Sequence, residues 1–156
     1  MAILEGLGVE TGKGKYYEEA IYSLALIHNV ITDEMTTYLR GYNLTPGKLN
    51  ILMAIKHKGK DNGISQVDIS KRLIVTKSNM TKLISKLEKD GLVTRSALEG
   101  DRRVNVMKIT PKGSRLLDEI WEGYNARLKD LLSSFDNNQQ KVLSSLLISW
   151  LNNIRK

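Results

Sequence analysis

Cysteine is missing from this chain altogether. That rules out a disulfide framework, a thiolate nucleophile and a cysteine-ligated zinc, and it suits a reducing compartment. Histidine is nearly as scarce, with His28 and His57 on different predicted helices. His57 and Asp61 stand four apart, but Gly59 lies between them and two ligands do not make a metal site. His28 falls on an apolar helix face and reads as a core residue. No apolar run approaches the roughly 20 residues needed to cross a bilayer. The opening "MAILEGLGVETGKGK" has no basic segment followed by an apolar run, so no export signal is expected and a cytoplasmic location is. Gly6, Gly8, Gly12 and Gly14 follow no strand and form no phosphate-binding motif. With no convergent acid–base cluster either, neither an enzyme nor a cofactor is expected.

What is present is an ordinary globular composition with a displaced charge. The 156 residues are 41% hydrophobic and 26% charged, enough for one domain with a real core. Of the net +7, the segment from Ile64 to Arg115 holds 12 Lys/Arg against 5 Asp/Glu, a net of +7. The rest carries 12 basic and 12 acidic side chains and is neutral. One third of the chain therefore carries the whole imbalance, the electrostatic footprint expected for nucleic acid.

Hydrophobic spacing divides the chain into helices and a hairpin. Residues 1–14 hold four glycines and little periodicity, as in a flexible tail. From Tyr16 to about Arg40, apolar residues recur every three or four positions. "LTPGKLNILMAIKHKG" opens with Thr45 as N-cap and Pro46 at the first helical position, and Gly59 ends it. Ser65 to Asp68 resembles a capping box and starts a short helix to about Leu73. Thr76 is the expected cap of a further helix, from Lys77 to about Asp90, stopped by Gly91. Ser65 and Thr76 are explained better as caps than as nucleophiles. "LVTRS" and "VNVMKI" flank "ALEGD" as a hairpin with more than a tight turn. Thr110-Pro111 starts a long helix, and Asp136 with Gln139 caps a last one.

Two short helices joined by a tight turn, 65–73 and 77–90, make a helix-turn-helix candidate. In the second, Met80, Leu83, Ile84 and Leu87 must face the core. Outward lie Lys77, Ser78, Asn79, Thr81, Lys82, Ser85 and Lys86, with no carboxylate before Glu88. Asn suits adenine edges, Ser and Thr suit either kind of edge, and Lys suits guanine or phosphate. A hairpin directly after such a helix is a wing. Arg102 and Arg103 at its tip can enter the electronegative minor groove, and Asp101 would orient one of them.

The segment "KLISKLEKDGLVTRSALEGDRRVNVMKITPKG" resembles the MarR family of transcription regulators. The likeness rests on "LEKDGLV", the following Arg95, the wing Asp101-Arg102-Arg103, and Ile109, Thr110 and Gly113 of an "IT-x-x-G" pattern. "LTPGKLNIL" and the order of flanking helices fit as well, so it extends over about residues 16 to 155. The resemblance implies a homodimer that binds pseudo-palindromic double-stranded DNA, often as a repressor relieved by a small molecule. Carried over, Lys77, Ser78, Asn79, Thr81 and Lys82 would meet the major groove. Arg102 and Arg103 would make the wing contacts, while Ser65, Thr76, Lys86 and Arg95 would meet phosphate. Without cysteine, thiol-oxidation sensing is not open to this chain.

The expected architecture is mainly α with a small β-hairpin wing: a winged helix-turn-helix lobe at about 45–110, with dimerisation helices at about 16–40 and 111–155, in one domain over 15–156. The outer helices carry more apolar surface than so small a lobe can cover. Leu143, Leu146, Leu147, Trp150, Leu151 and Ile154 form one such face, and a second copy is the simplest cover. Tyr22, Tyr38, Tyr42, Met53, Trp121 and Tyr124 are candidates to line a cleft for a small aromatic or phenolic ligand. The alternative to a specific regulator is a winged-helix architectural or protein-docking module whose DNA binding is nonspecific or absent.

Overall fold

Helix caps written into the sequence set most of the element boundaries. The computed structural model describes residues 2–12, 14–59, 62–73, 77–98 and 101–154, without the side chains of 2, 72, 77, 78, 98 and 101–103. Helix α1 (Ala2–Gly6) is followed by α2 (Tyr16–Arg40), α3 (Pro46–Ala54) and a five-residue π-helix (Ile55–Gly59). Strand β1 (Ile64–Ser65) leads into α4 (Gln66–Arg72) and α5 (Lys77–Lys89). Strands β2 (Val93–Leu98) and β3 (Asp101–Ile109) come next, then α6 (Pro111–Leu131) and α7 (Asn137–Ile154).

The caps are those the sequence announces. Thr45 Oγ1 accepts from the Lys48 N–H at 3.3 Å, with Pro46 at the first position of α3, where a missing N–H costs nothing. Asp136 and Gln139 close a reciprocal box: the Asp136 N–H donates to Gln139 Oε1 and the Gln139 N–H to Asp136 Oδ1, both at 2.9 Å. At the end of α5, the Leu92 N–H reaches Leu87 C=O and the Gly91 N–H reaches Glu88 C=O. That is a Schellman closure, and Gly91 supplies its left-handed residue at φ 70°.

Where the structure departs from the sequence reading, the causes are local. The segment expected as a tail over 1–14 holds α1, and Val9 is only 4% exposed. Helix α3 does not run unchanged to Gly59 but loosens into the π-helix, whose i→i+5 bonding has no compositional signature. Pairing in the hairpin continues through Ala97↔Asn105 to Leu98↔Asp101, with an irregularity between Ala97 and Leu98. Both ends of the expected "ALEGD" loop are thus taken into strands. Two residues, Ile64 and Ser65, add a third strand by pairing with Met107 and Val106, giving the antiparallel order β1-β3-β2.

The chain divides into two compact units, Met1–Trp121 and Glu122–Lys156. The core of the first joins every element of the winged lobe. Leu39 of α2, Leu49, Ile51 and Leu52 of α3, Ile69 of α4, Met80, Ile84 and Leu87 of α5, Met107 of β3 and Ile120 of α6 are all at most 2% exposed. At roughly 1.5–3 kcal/mol for each fully buried large apolar side chain, this stripe fixes which face of α5 turns inward. In the second unit no described residue is buried, and α7 leaves Val142, Leu146, Ile148, Leu151 and Ile154 exposed.

Candidate nucleic-acid interface

The face of α5 opposite its buried stripe carries the candidate contacts. Asn79, Thr81, Lys82, Ser85 and Lys86 are all exposed, whereas Met80, Ile84 and Leu87 are fully enclosed. Leu83 is only half-buried, against Gly47 of α3. The backbone of Lys77 and Ser78 forms the first turn of α5, as expected; their side chains lie outside the described residues, and so does Thr76. The first turn holds no acidic residue. Negative charge on α5 appears only at Glu88, so its N-terminal half keeps a positive field suited to a polyanion.

A neighbouring side chain not singled out by the sequence reading joins this face. Gln66, the first residue of α4, donates from Nε2 to Thr81 Oγ1 at 2.7 Å. Ser65, expected at phosphate, uses its hydroxyl within α4: Oγ accepts from the Asp68 N–H at 3.1 Å and donates to Asp68 Oδ2 at 2.7 Å. Its cap function is therefore realised, and its single proton is already committed. Arg95, also expected at phosphate, extends from β2 towards α5, with its guanidinium 3.6 Å from the Glu88 carboxylate. At that distance, with both side chains partly exposed, the pair is weak and leaves the arginine able to exchange partners.

The wing is a two-stranded ribbon whose inner edge is locked by β1. Asp101, Arg102 and Arg103 occupy the first three positions of β3; their side chains lie outside the described residues. At the other end of the ribbon, the wing is tied to the start of α6. The Thr110 N–H donates to Leu92 C=O at 3.1 Å, Thr110 Oγ1 donates to Gly91 C=O at 2.8 Å, and the Gly113 N–H donates to Thr110 Oγ1 at 3.0 Å. A Cβ at Gly113 would run into the Leu92 carbonyl, which explains the glycine of "IT-x-x-G".

Two of the aromatic candidates form a ring pair. Tyr38 and Tyr42 meet edge-to-face, with centroids 5.4 Å apart, and the Tyr38 hydroxyl donates to Ile120 C=O at 2.9 Å. Tyr22 sits sixteen residues before Tyr38 on one continuous helix, roughly 24 Å away at 1.5 Å per residue. Tyr22 and Tyr38 therefore lie too far apart along α2 to meet one small ligand side by side within a single chain. Met53 is half-buried, Trp121 is 40% exposed, and burial pushes the Tyr124 hydroxyl pKa up. A cleft of about 400 Å³ lies elsewhere, lined by Lys58, Gly63, Ile64, Ser65, Asp68, Val104 and Val106, and none of the aromatic candidates line it. Among the described residues no group of three or more His, Cys, Asp or Glu is placed to hold a metal ion. None of the described helices is long and apolar enough to cross a membrane.

Comparison with known proteins points one way. The MarR family model matches residues 44–104, the span from the cap of α3 to the wing. The HTH-type transcriptional repressor YetL of Bacillus subtilis is 27% identical over 129 residues, covering 83% of this chain and 77% of that protein. The transcriptional regulator BldR of Sulfolobus solfataricus has a crystal structure that superposes with a TM-score of 0.77 at 28% identity, covering 91% of this chain and 99% of that one. A mutant of Escherichia coli MarR, solved with operator DNA, superposes at TM-score 0.76 and 20% identity over 83% of this chain and 91% of that one. A helix-turn-helix of α4 and α5 followed by a β2–β3 wing defines the class. Residues 44–104 of the chain match the MarR family of winged-helix transcription regulators, and the curated and structural relatives support that assignment.

Proposed function

We propose that this protein is a homodimeric, sequence-specific DNA-binding repressor. The observation that carries the reading is the exposed edge of α5: Asn79, Thr81, Lys82, Ser85 and Lys86, without a carboxylate until Glu88, on a helix anchored by three fully buried side chains. Hydrogen-bonding groups on that edge suit base edges in the major groove, while the lysines suit phosphate. Arg102 and Arg103, at the start of β3, are assigned to the wing's minor-groove contact, with Asp101 orienting one of them. Lys77 and Ser78 in the first turn of α5, and Thr76 just before it, complete the proposed contact set. Ser65 acts there through its cap.

Pairing of two copies is supported by the faces left open in one. On α7 these are Val142, Leu146, Ile148, Leu151 and Ile154, and on α2 Ile21, Leu24, Ile27 and Val30. A dimer sets two recognition helices about one DNA turn, roughly 34 Å, apart and so selects a pseudo-palindromic operator. Occupation of that operator blocks polymerase, a role in keeping with a cytoplasmic protein. A small aromatic or phenolic ligand relieves repression when it favours a helix spacing that no longer matches successive grooves. The ring pair Tyr38–Tyr42 supports that last step.

Fluorescence anisotropy with duplex from upstream of the protein's own gene, against a scrambled duplex, tests the reading. A preference of about a thousandfold with a steep salt slope is expected. Equal affinity for the two, repeated with a duplex selected from a randomised pool, would turn the reading to an architectural module.

A further inference from the structure

The bond between Gln66 and Thr81 joins the two helices of the helix-turn-helix on the side proposed to face DNA. Gln66 is the first residue of α4, directly after the Ser65 cap, and its side chain is half-buried. Thr81 is the fifth residue of α5 and is exposed. Their 2.7 Å contact is side chain to side chain, across fifteen positions of sequence. In a helix, threonine divides between two χ1 rotamers, one turning the hydroxyl and the other the methyl to a given side. A partner on the Oγ1 atom holds that choice. It decides whether the groove is offered a hydroxyl, which bonds base edges, or a methyl, which packs on the thymine methyl.

We infer that Gln66 is a positioning residue for base recognition, setting the side-chain orientation of Thr81 and through it the base preferred at one position of each half-site. The inference rests on the proposed reading of α5 as the recognition helix. Nothing in it requires Gln66 to touch DNA: in this geometry the first helix crosses the sugar–phosphate backbone and the second enters the groove. Gln66 spans the two.

Selection from a randomised duplex pool, run with the full-length wild type, Gln66→Ala, Gln66→Glu, Thr81→Val and the double variant Gln66→Ala/Thr81→Val, tests this. Thr81→Val keeps the branched shape and removes the bonded oxygen. Gln66→Ala and Thr81→Val are expected to broaden the same single base position per half-site. The loss in specificity ratio should be about three- to tenfold, the worth of one net hydrogen bond. The double variant should lose no more than Thr81→Val alone. Gln66→Glu cannot donate, but its carboxylate can accept from the Thr81 hydroxyl and so hold Oγ1 on the same side with the bond reversed. It should keep the wild-type base preference while weakening all duplexes alike by charge repulsion. A uniform loss of affinity in Gln66→Ala with every base preference intact would make Gln66 a phosphate contact and overturn the inference. Effects of Gln66→Ala and Thr81→Val that multiply, or fall at different positions, would also overturn it. A wild type without any preference would remove the regulator reading itself and this inference with it. Matching circular dichroism melts across the set exclude loss of fold as the cause.

Discussion

The ammonium of Lys48 sits 2.8 Å from the Asp90 carboxylate, with the lysine side chain 10% exposed and the aspartate 33%. Lys48 Nζ also reaches the Asn43 carbonyl at 3.4 Å, while the Asp90 carbonyl accepts from Lys112 Nζ at 2.8 Å. The C-terminal end of the recognition helix is thereby tied to the turn after α2, to α3 and to the start of α6. These ties link the helix proposed to face DNA to the helices proposed to build the dimer.

Breaking that pair should cost different amounts from its two sides. Asp90→Ala strands the more buried charge, Lys48, whereas Lys48→Met leaves a carboxylate that water already reaches. Because one partner is a third exposed, the loss falls below the roughly 3–5 kcal/mol of a fully buried pair. About 1–3 kcal/mol is expected for Asp90→Ala, and less for Lys48→Met. Urea unfolding of both variants measures it. Equal losses would mean that the burial of Lys48 does not govern the energetics.

Gly113→Ala tests the junction from the backbone side. On helix propensity alone the substitution should stabilise by about 1 kcal/mol. Here the new Cβ meets the Leu92 carbonyl, a backbone atom that moves only if the Thr110 bonds to Gly91 and Leu92 move too. Overpacking of this kind costs about 1–3 kcal/mol, so the sign reverses. A melting temperature equal to or above wild type would show that the junction yields freely.

Much of the fold was legible because its signals are local. Thr45-Pro46, the Asp136–Gln139 box and the left-handed Gly91 each declare a boundary within five residues, and each boundary is where they put it. The α5 stripe was likewise readable, since three of its four apolar residues are fully buried. What escaped depends on distant partners. Strand β1 is two residues long and exists only by pairing with β3 over forty positions away. The distance between Tyr22 and Tyr38 was not legible either, because helical spacing tells which face a residue shares, not how far along the rod it lies. Gln66 was passed over because its role comes from the crossing of α4 and α5, which no periodicity records. Arg95 was expected at phosphate, and its Glu88 neighbour depends on how β2 folds back beside α5.

That neighbour makes Arg95 a test of how affinity divides between phosphate and base. If Arg95 leaves Glu88 for a phosphate, Arg95→Ala should lower affinity for every duplex by a similar factor. It should also reduce the slope of log K against log salt by about 0.9 per lost contact. Glu88→Gln should do the reverse, raising affinity for operator and scrambled DNA alike. Anisotropy titrations at several salt concentrations read both. A change in base preference in either variant would assign the pair to sequence recognition instead.

The face of α7 offers the sharpest test of assembly. Leu151 is 44% exposed and Leu146 65%, on a helix with no buried residue in the single chain. An aspartate at Leu151 leaves helix caps and the winged lobe untouched, since the Asp136–Gln139 box lies at the other end of α7. Its cost appears only if a partner covers the site, where an unpaired carboxylate must be desolvated. Leu151→Asp is therefore expected to shift the mass in light scattering from twice 17.6 kDa towards 17.6 kDa, with the helical content of the chain retained. Binding to a two-half-site duplex should fall by about a hundredfold or more, because the second half-site contact becomes a separate bimolecular event. Affinity for a single half-site should hardly change, as α5 and the wing remain intact. A Leu151→Asp protein that stays dimeric would move the interface off α7. One that becomes monomeric yet binds the full operator as tightly as before would separate dimerisation from DNA recognition altogether.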